Sequence, residues 1–196
     1  MGVFRKLFSA RRAVERAMEE QEAQLTALAS MPPERLAAEP DDVLCSVFSF
    51  LNDRTVTAQF GAPHRRRQTL ADCYARLPGI RRTYALADLF SLGMETDGLC
   101  GILTGEERCY AWELPDILRA IRAVPHAELL ESFFADNGID PHEMSSFRIG
   151  QDPETDYAAQ EIRYPYRAFN RAYSQLPPLM PCLAAYGRAH LAAFLA

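Results

Sequence analysis

Six carboxylates fall within residues 92–118, LGMETDGLCGILTGEERCYAWELPDIL: Glu95, Asp97, Glu106, Glu107, Glu113 and Asp116. Beside them stand Gly98, Gly101, Gly105, Cys100, Cys109 and the single tryptophan, Trp112. Carboxylates at this density can hold a cation, act as an acid–base pair, or stand in water as a negative surface. Glu95-Thr96-Asp97-Gly98 resembles a fragment of a calcium loop, but the alternating Asp/Asn ligands and the closing glutamate are missing. His64, His126, His142 and His190 stand apart and no Cys-x-x-Cys occurs, so no metal site is expected. No lysine follows the glycines as a phosphate loop requires, and the nearby acids repel phosphate. Glu95 and Asp97, two apart, do not face one another on a helix, which disfavours a hydrolytic carboxylate pair. No Gly-x-Ser-x-Gly occurs, and Cys100 and Cys109 lack an activating motif. No catalytic residue and no cofactor is expected; the six carboxylates are read as a partner-binding surface.

The charge distribution supports that reading. The net charge is −5, yet residues 83–162 hold 16 acids against 4 arginines, while residues 163–196 hold 4 arginines and no acid. So acidic a middle disfavours direct nucleic-acid binding and favours a basic protein partner. Glu128, Glu131 and Asp136, on the next expected helix, extend the set. The competing expectation is that flanking arginines neutralise these acids internally. Trp112 suits either a core anchor or a binding hot spot, and core is the commoner use.

These residues need a scaffold. A chain of 196 residues, 48% apolar, can bury one full core. No apolar run approaches the ~20 residues of a membrane span. No secretory signal is legible, and Lys6 stands where a myristoylation signal wants Ser or Thr. An odd set of five irregularly spaced cysteines reads as free thiols in a reducing cytoplasm.

Residues 3–29 lack Pro and Gly and repeat apolar residues at three- and four-residue steps, which predicts a long amphipathic helix. Its first half is basic (Arg5, Lys6, Arg11, Arg12, Arg16) and its second acidic (Glu19, Glu20, Glu22), opposite to the preference of the helix dipole. A contact with an acidic surface would offset this: the protein's own middle, a partner subunit in a homodimer, or, least favoured, an anionic membrane. Pro32, Pro33 and Pro40 break the chain, so residues 1–30 are an N-terminal helical arm and residues 31–196 a single all-α domain.

Within the domain, residues 41–53 predict a helix led by Asp41 and Asp42. Arg54–Phe60 alternates and suggests a short strand or extended loop. His64–Arg67 is a basic cluster of solvated arginines. A short helix ends at Pro78-Gly79. The next carries Ile80, Tyr84, Leu86, Ala87, Leu89 and Phe90 on its buried side, with Gly93 near its end. Gly98 and Gly101 suit a short helix packed tightly against another backbone. Residues 114–124 and the helix that Pro125 opens and Asn137-Gly138 closes pack at an angle as neighbours. Residues 139–160 read as a surface excursion. The C-terminal part reads as two helices broken by Pro177, Pro178 and Pro181, with Tyr164, Tyr166, Phe169 and Tyr173 as a core stripe.

Three segments, LPGIRRTYALADLFSLGMETDGLCGIL, LPDILRAIRAVPHAELLESFF and FNRAYSQLPPLMPCLAAYGRAHLAAF, together resemble the DNA-mimic-like family of bacterial helical proteins over about residues 77–194. Glu95 matches the family's acidic helix end and Gly98 one glycine of its Asn-Gly-Gly-aromatic turn. Ala120–Ala123 match the helix-pair junction, with Arg122 where glycine is usual, and Tyr186 and His190 match the last helix. Thr96-Asp97 replace the usual asparagines, and Leu99-Cys100 the Gly-aromatic pair. The resemblance implies an all-α fold, no known catalysis and, in at least one member, an acidic dimeric surface that imitates DNA toward a DNA-binding protein. The expected function is a non-enzymatic protein-binding module, with a helical enzyme or small-ligand pocket near Glu95 and Trp112 as the alternative.

Overall fold

The computed structural model describes residues 2–62, 68–149 and 153–195, with side chains described at 14, 16–62, 68–149 and 156–195. The His64–Arg67 cluster lies outside the described residues. The chain is 78% helical, with twelve α-helices and no strand among the described residues, an all-α fold.

Helix α1, Gly2–Ala29, is the long amphipathic helix, and its C-terminal end reaches the core through Leu25, Leu28 and Ala29. Short α2, Pro33–Ala37, buries Leu36. Helix α3, Asp41–Phe60, runs unbroken through the segment expected to be extended. The β-branched residues there disfavour a helix by only tenths of a kcal/mol each. Tertiary bonds override that preference: Val56 and Asn52 are buried, and the Arg81 guanidinium donates to Leu51 O, Asn52 Oδ1 and Thr55 Oγ1 at 2.7–2.9 Å. Gly61, at φ 85, stops the helix.

Helix α4, Leu70–Tyr74, opens with a reciprocal cap in which Thr69 and Asp72 satisfy each other's backbone N–H. Helix α5, Gly79–Thr96, buries Tyr84, Leu86, Ala87 and Phe90, with Ile80 and Leu89 at the core's edge, as its periodicity predicts. Gly93 lies inside this helix rather than at its end, where Ile102 packs against its bare Cα. The chain turns sharply into α6, Gly98–Thr104, at Gly98, whose φ of 66 favours glycine. The Leu99 N–H donates to Asn170 Oδ1 (3.1 Å), and a Cβ on Gly98 would meet the same Asn170 side chain. Gly101 faces the Asp97 side chain, so the expected approach to another backbone is not made there.

A 3-10 segment, Glu106–Glu113, leads to α7, Leu114–Ala120, and α8, Val124–Asp136. The expected helix over 114–124 therefore stops early. Ala123 N–H closes it on Leu118 O (2.8 Å) and forces Arg122 to φ 65, a conformation glycine adopts without strain. Residues 139–149 are not a surface excursion: Ile139, Met144 and Phe147 are buried, and Phe147 stacks on Tyr164 at 5.5 Å. Helix α9, Pro153–Arg163, follows, then α10, Tyr166–Tyr173, α11, Met180–Ala189, and α12, Leu191–Leu195, more breaks than the two helices expected. Tyr166 and Phe169 are buried against Phe133, with Tyr164 and Tyr173 beside them, so the aromatic stripe is core.

Helices α3, α5 and α12 meet around Phe48, Tyr84 and Phe194, and α11 packs beside them. Gly187 lets α11 approach so closely that a Cβ there would overlap the Phe48 ring. Arg188 ties α11 to the α2–α3 junction, donating to Ala37 O, Glu39 O and Asp41 Oδ1 at 2.6–3.0 Å. These contacts hold α3 and α5 side by side, which positions the groove described next.

Candidate functional site: an acidic groove with an apolar floor

The groove, about 440 Å³, lies between α3 and α5, closed at its ends by α4 and by Met180 of α11. Helix α3 supplies Asp42, Ser46, Ser49 and Asp53, at three- and four-residue steps along one face. Helix α5 supplies Asp88, Leu89 and Leu92. Glu95 comes one turn later on the same face of α5 and is close enough to raise the Asp88 carboxyl's affinity for its proton. Leu92 and Met180 are 56% and 44% exposed, large apolar side chains left uncovered on the groove's walls. No arginine or lysine lines it among the described residues.

Three hydrogen bonds order the polar wall. The Ser49 hydroxyl donates to Asp88 Oδ2 (2.6 Å), the Tyr74 hydroxyl donates to Asp53 Oδ1, and Ser46 bonds back to Asp42 O (2.8 Å). Burial holds the Asp88 carboxyl above the usual carboxylate range; the Ser49 bond opposes this, and Asp53 and Glu95 add to it. Burial also pushes the Cys45 thiol up, away from the thiolate a nucleophile needs. The arrangement presents negative charge above a hydrophobic floor and can accept a cation carried on an apolar stem.

The sequence-predicted carboxylates divide in two. Glu95, Asp97 and Glu106 are exposed and form no ion pair among the described residues. Glu107 is half-buried, its carboxyl pushed up by burial and then by Glu106 and Asp97, so these three share one neighbourhood. Glu113, by contrast, is enclosed against Arg82, whose Nη2 lies 2.5 Å from both carboxylate oxygens. Asp116 lies 3.7 Å from Arg119, which also grips Glu131 (2.6 Å). Glu128 and Asp136 are exposed and make no ion pair among the described residues. Thus Glu113, and with it part of the expected binding set, is matched by the protein's own guanidinium groups.

Trp112 is not a core anchor. It is 47% exposed and stacks on His142 at 5.2 Å, because the 3-10 segment turns its neighbours Tyr110 and Ala111 inward instead. Neither Trp112 nor Glu95 lines the groove or a second cavity of about 410 Å³ between the α7–α8 turn and α11. That cavity gathers Ile121, Arg122, Cys182, Tyr186 and His190, without a carboxylate, and the Tyr186 and His190 rings lie 4.6 Å apart.

Sequence reasoning passed over Asp42, Asp53 and Asp88 as site residues. The signal was present: Asp42, Ser46, Ser49 and Asp53 follow a helical period opposite Leu44, Val47 and Leu51. Counting charge by segment hid it, because the α3 acids meet Asp88 only through the packing of α3 against α5. No family model matches the chain, and searches of curated proteins and of solved structures return no match either.

Proposed function

We propose that the chain is a non-enzymatic protein-binding module whose α3–α5 groove seats a basic amphipathic helix of a partner protein. One observation carries this reading: Asp42, Asp53 and Asp88 surround an apolar floor beside which Leu92 and Met180 stand uncovered, with no cation in the lining among the described residues. An apolar side chain of the partner covers Leu92 and Met180, contributing about 25 cal/mol per Å² of apolar surface removed from water. Its lysines and arginines, on long apolar stems, reach the rim carboxylates. Glu95, Asp97, Glu106 and Glu107 extend the negative field and speed encounter rather than deepen affinity. A basic, DNA-binding protein is the partner class that the resemblance to the DNA-mimic-like family implies, and its clustered Arg and Lys fit this field.

The test is fluorescence anisotropy of a labelled Lys/Arg-rich amphipathic peptide titrated with the full chain. Binding at about 0.05 M salt that weakens at least tenfold by about 0.5 M supports the reading, because charge pairs are screened beyond the shrinking Debye length. No binding at the lower salt sinks it.

A second reading rests on the Arg122 cavity. A guanidinium beside two neighbouring rings, with no ion pair and no acid in the lining among the described residues, suits a small aromatic acid. Thermal stabilisation by an aromatic carboxylate, lost in Arg122→Gln, supports it; an unchanged melting temperature across a panel of such acids removes it.

A further inference from the structure

We infer that the groove's occupant is the basic half of α1 from a second copy of this chain, so that two chains exchange arms as a homodimer. The inference rests on the reading of the groove as a seat for a basic amphipathic helix, and it names that helix.

The arm is built as a ligand. Helix α1 is 28 residues long, roughly 42 Å at 1.5 Å per residue, and of its described side chains only Leu25, Leu28 and Ala29 pack on the core. Val14 and Met18, one turn apart, are 58% and 65% exposed. In sequence, Phe4, Leu7 and Phe8 continue the same three- and four-residue apolar pattern, interleaved with Arg5, Lys6, Arg11, Arg12 and Arg16. Residues 1–18 contain one acid, Glu15. Four of the seven exposed large apolar side chains among the described residues fall in two pairs on complementary surfaces, Val14 and Met18 on a basic helix and Leu92 and Met180 on an acidic groove, while Trp112, Val124 and Ile162 lie elsewhere. The basic end also sits where the helix dipole is positive, so an anionic neighbour relieves a repulsion that the isolated arm retains.

The same chain cannot make this contact. Helix α1 joins α3 on the side where Ala29 and Ser30 share a surface depression with Leu51, Thr55 and Ala58. At 100° per residue, that side of α3 and the one bearing Asp42, Ser46, Ser49 and Asp53 are roughly 180° apart. No proline or glycine interrupts residues 3–29, so α1 has no sequence-encoded hinge by which to fold back around α3. The groove is therefore open to another chain's arm. Exchange by two-fold symmetry makes each contact twice and closes the assembly, so that an added basic peptide enters a groove by displacing an arm.

Sedimentation equilibrium on the full chain tests this. At about 0.1 M salt, where the Debye length is ~10 Å, the expected species is a dimer that dissociates toward monomer as salt rises to about 1 M. Two charge-reversed chains separate the halves of the contact: Asp42→Lys with Asp53→Lys in the groove, and Arg5→Glu with Arg12→Glu and Arg16→Glu in the arm. Each alone is expected to be monomeric, while their equimolar mixture forms a heterodimer, since the acidic arm then faces the basic groove. Leu92→Lys, on an exposed side chain, serves as a second groove variant, and circular dichroism confirms that each chain is folded.

A wild-type chain that stays monomeric overturns the inference. So does a folded groove variant that dimerises as wild type does, which would mean that arms pair with one another. A wild-type chain that is monomeric but binds phosphatidylserine vesicles through its arm overturns it in favour of a membrane. An unrelated Lys/Arg-rich amphipathic peptide, added to the arm-reversed chain, distinguishes the two levels. If it binds while wild type is monomeric, the groove reading stands and arm exchange fails; if it does not bind, both fail.

Discussion

Two acidic regions of this molecule look alike in sequence and differ in space. Around α7 and α8, Glu113 is enclosed by Arg82, and Asp116 and Glu131 share Arg119. Between α3 and α5, Asp42, Asp53 and Asp88 have hydroxyls, helix backbone and apolar side chains for neighbours, and no cation among the described residues lines the groove. Charge that is matched internally fixes the fold; charge left unmatched beside an apolar floor is free to meet a partner. The difference is set by where arginines fall. Arg82 is four residues past Pro78, on the first turns of α5, and faces the 3-10 segment, whereas the groove side of α5 presents Asp88, Leu92 and Glu95.

Both regions hang from one core, so the largest expected effect is common to them. Phe48→Ala removes a fully buried ring that contacts Tyr84 and Phe194, and should cost about 3–5 kcal/mol in chemical denaturation. A loss under about 1 kcal/mol would mean that α3 and α11 are not held as described.

The next effect separates the regions. Arg82→Gln strands the enclosed Glu113 carboxylate, whose side chain is 16% exposed, and should cost about 2 kcal/mol. Arg119→Gln, at the surface pair, should cost much less, and its effect should vanish in 1 M salt. Equal losses at the two sites would erase the distinction between an enclosed pair and a solvated one.

The smallest expected effect lies in the groove and has the opposite sign. The folded Asp88 carboxyl is held above its ordinary value, so between about pH 4 and that raised value the folded state binds more protons than the unfolded one. Stability contributed by this group therefore falls as pH rises through that window and stays low above it. Asp88→Asn keeps an acceptor for Ser49, should raise the unfolding midpoint at neutral pH, and should flatten the pH dependence of stability. A lower midpoint at pH 7 would show that the ionised carboxylate is stabilising and the groove is not the unfavourable site for bare charge described here.

Most of the helical framework was legible in the residues. The α5 core face, the Asn137-Gly138 stop and the aromatic stripe follow from period, turn chemistry and apolar content. What escaped was decided at long range. Arg54–Phe60 looks extended until Arg81 and the buried Val56 hold it helical. Residues 139–149 look polar until Ile139, Met144 and Phe147 find a hydrophobic wall to bury against. Glu113 looks like surface charge until α5 delivers Arg82. The groove was invisible for the same reason: its walls, α3 and α5, are separate segments with α4 between them in the chain, and they share no local pattern.

The central claim is that unmatched acids, not acidity as such, make the binding surface. Its most direct test compares the affinity of one Lys/Arg-rich amphipathic peptide for two variants that each lose two carboxylates, Asp42→Asn with Asp53→Asn in the groove and Asp116→Asn with Glu131→Gln, the two acids that share Arg119. The expected result at low salt is a loss of about tenfold for the first pair, from two contacts of up to about 1 kcal/mol each, and none beyond twofold for the second. Equal losses in both variants would show that only total charge matters and would contradict the account.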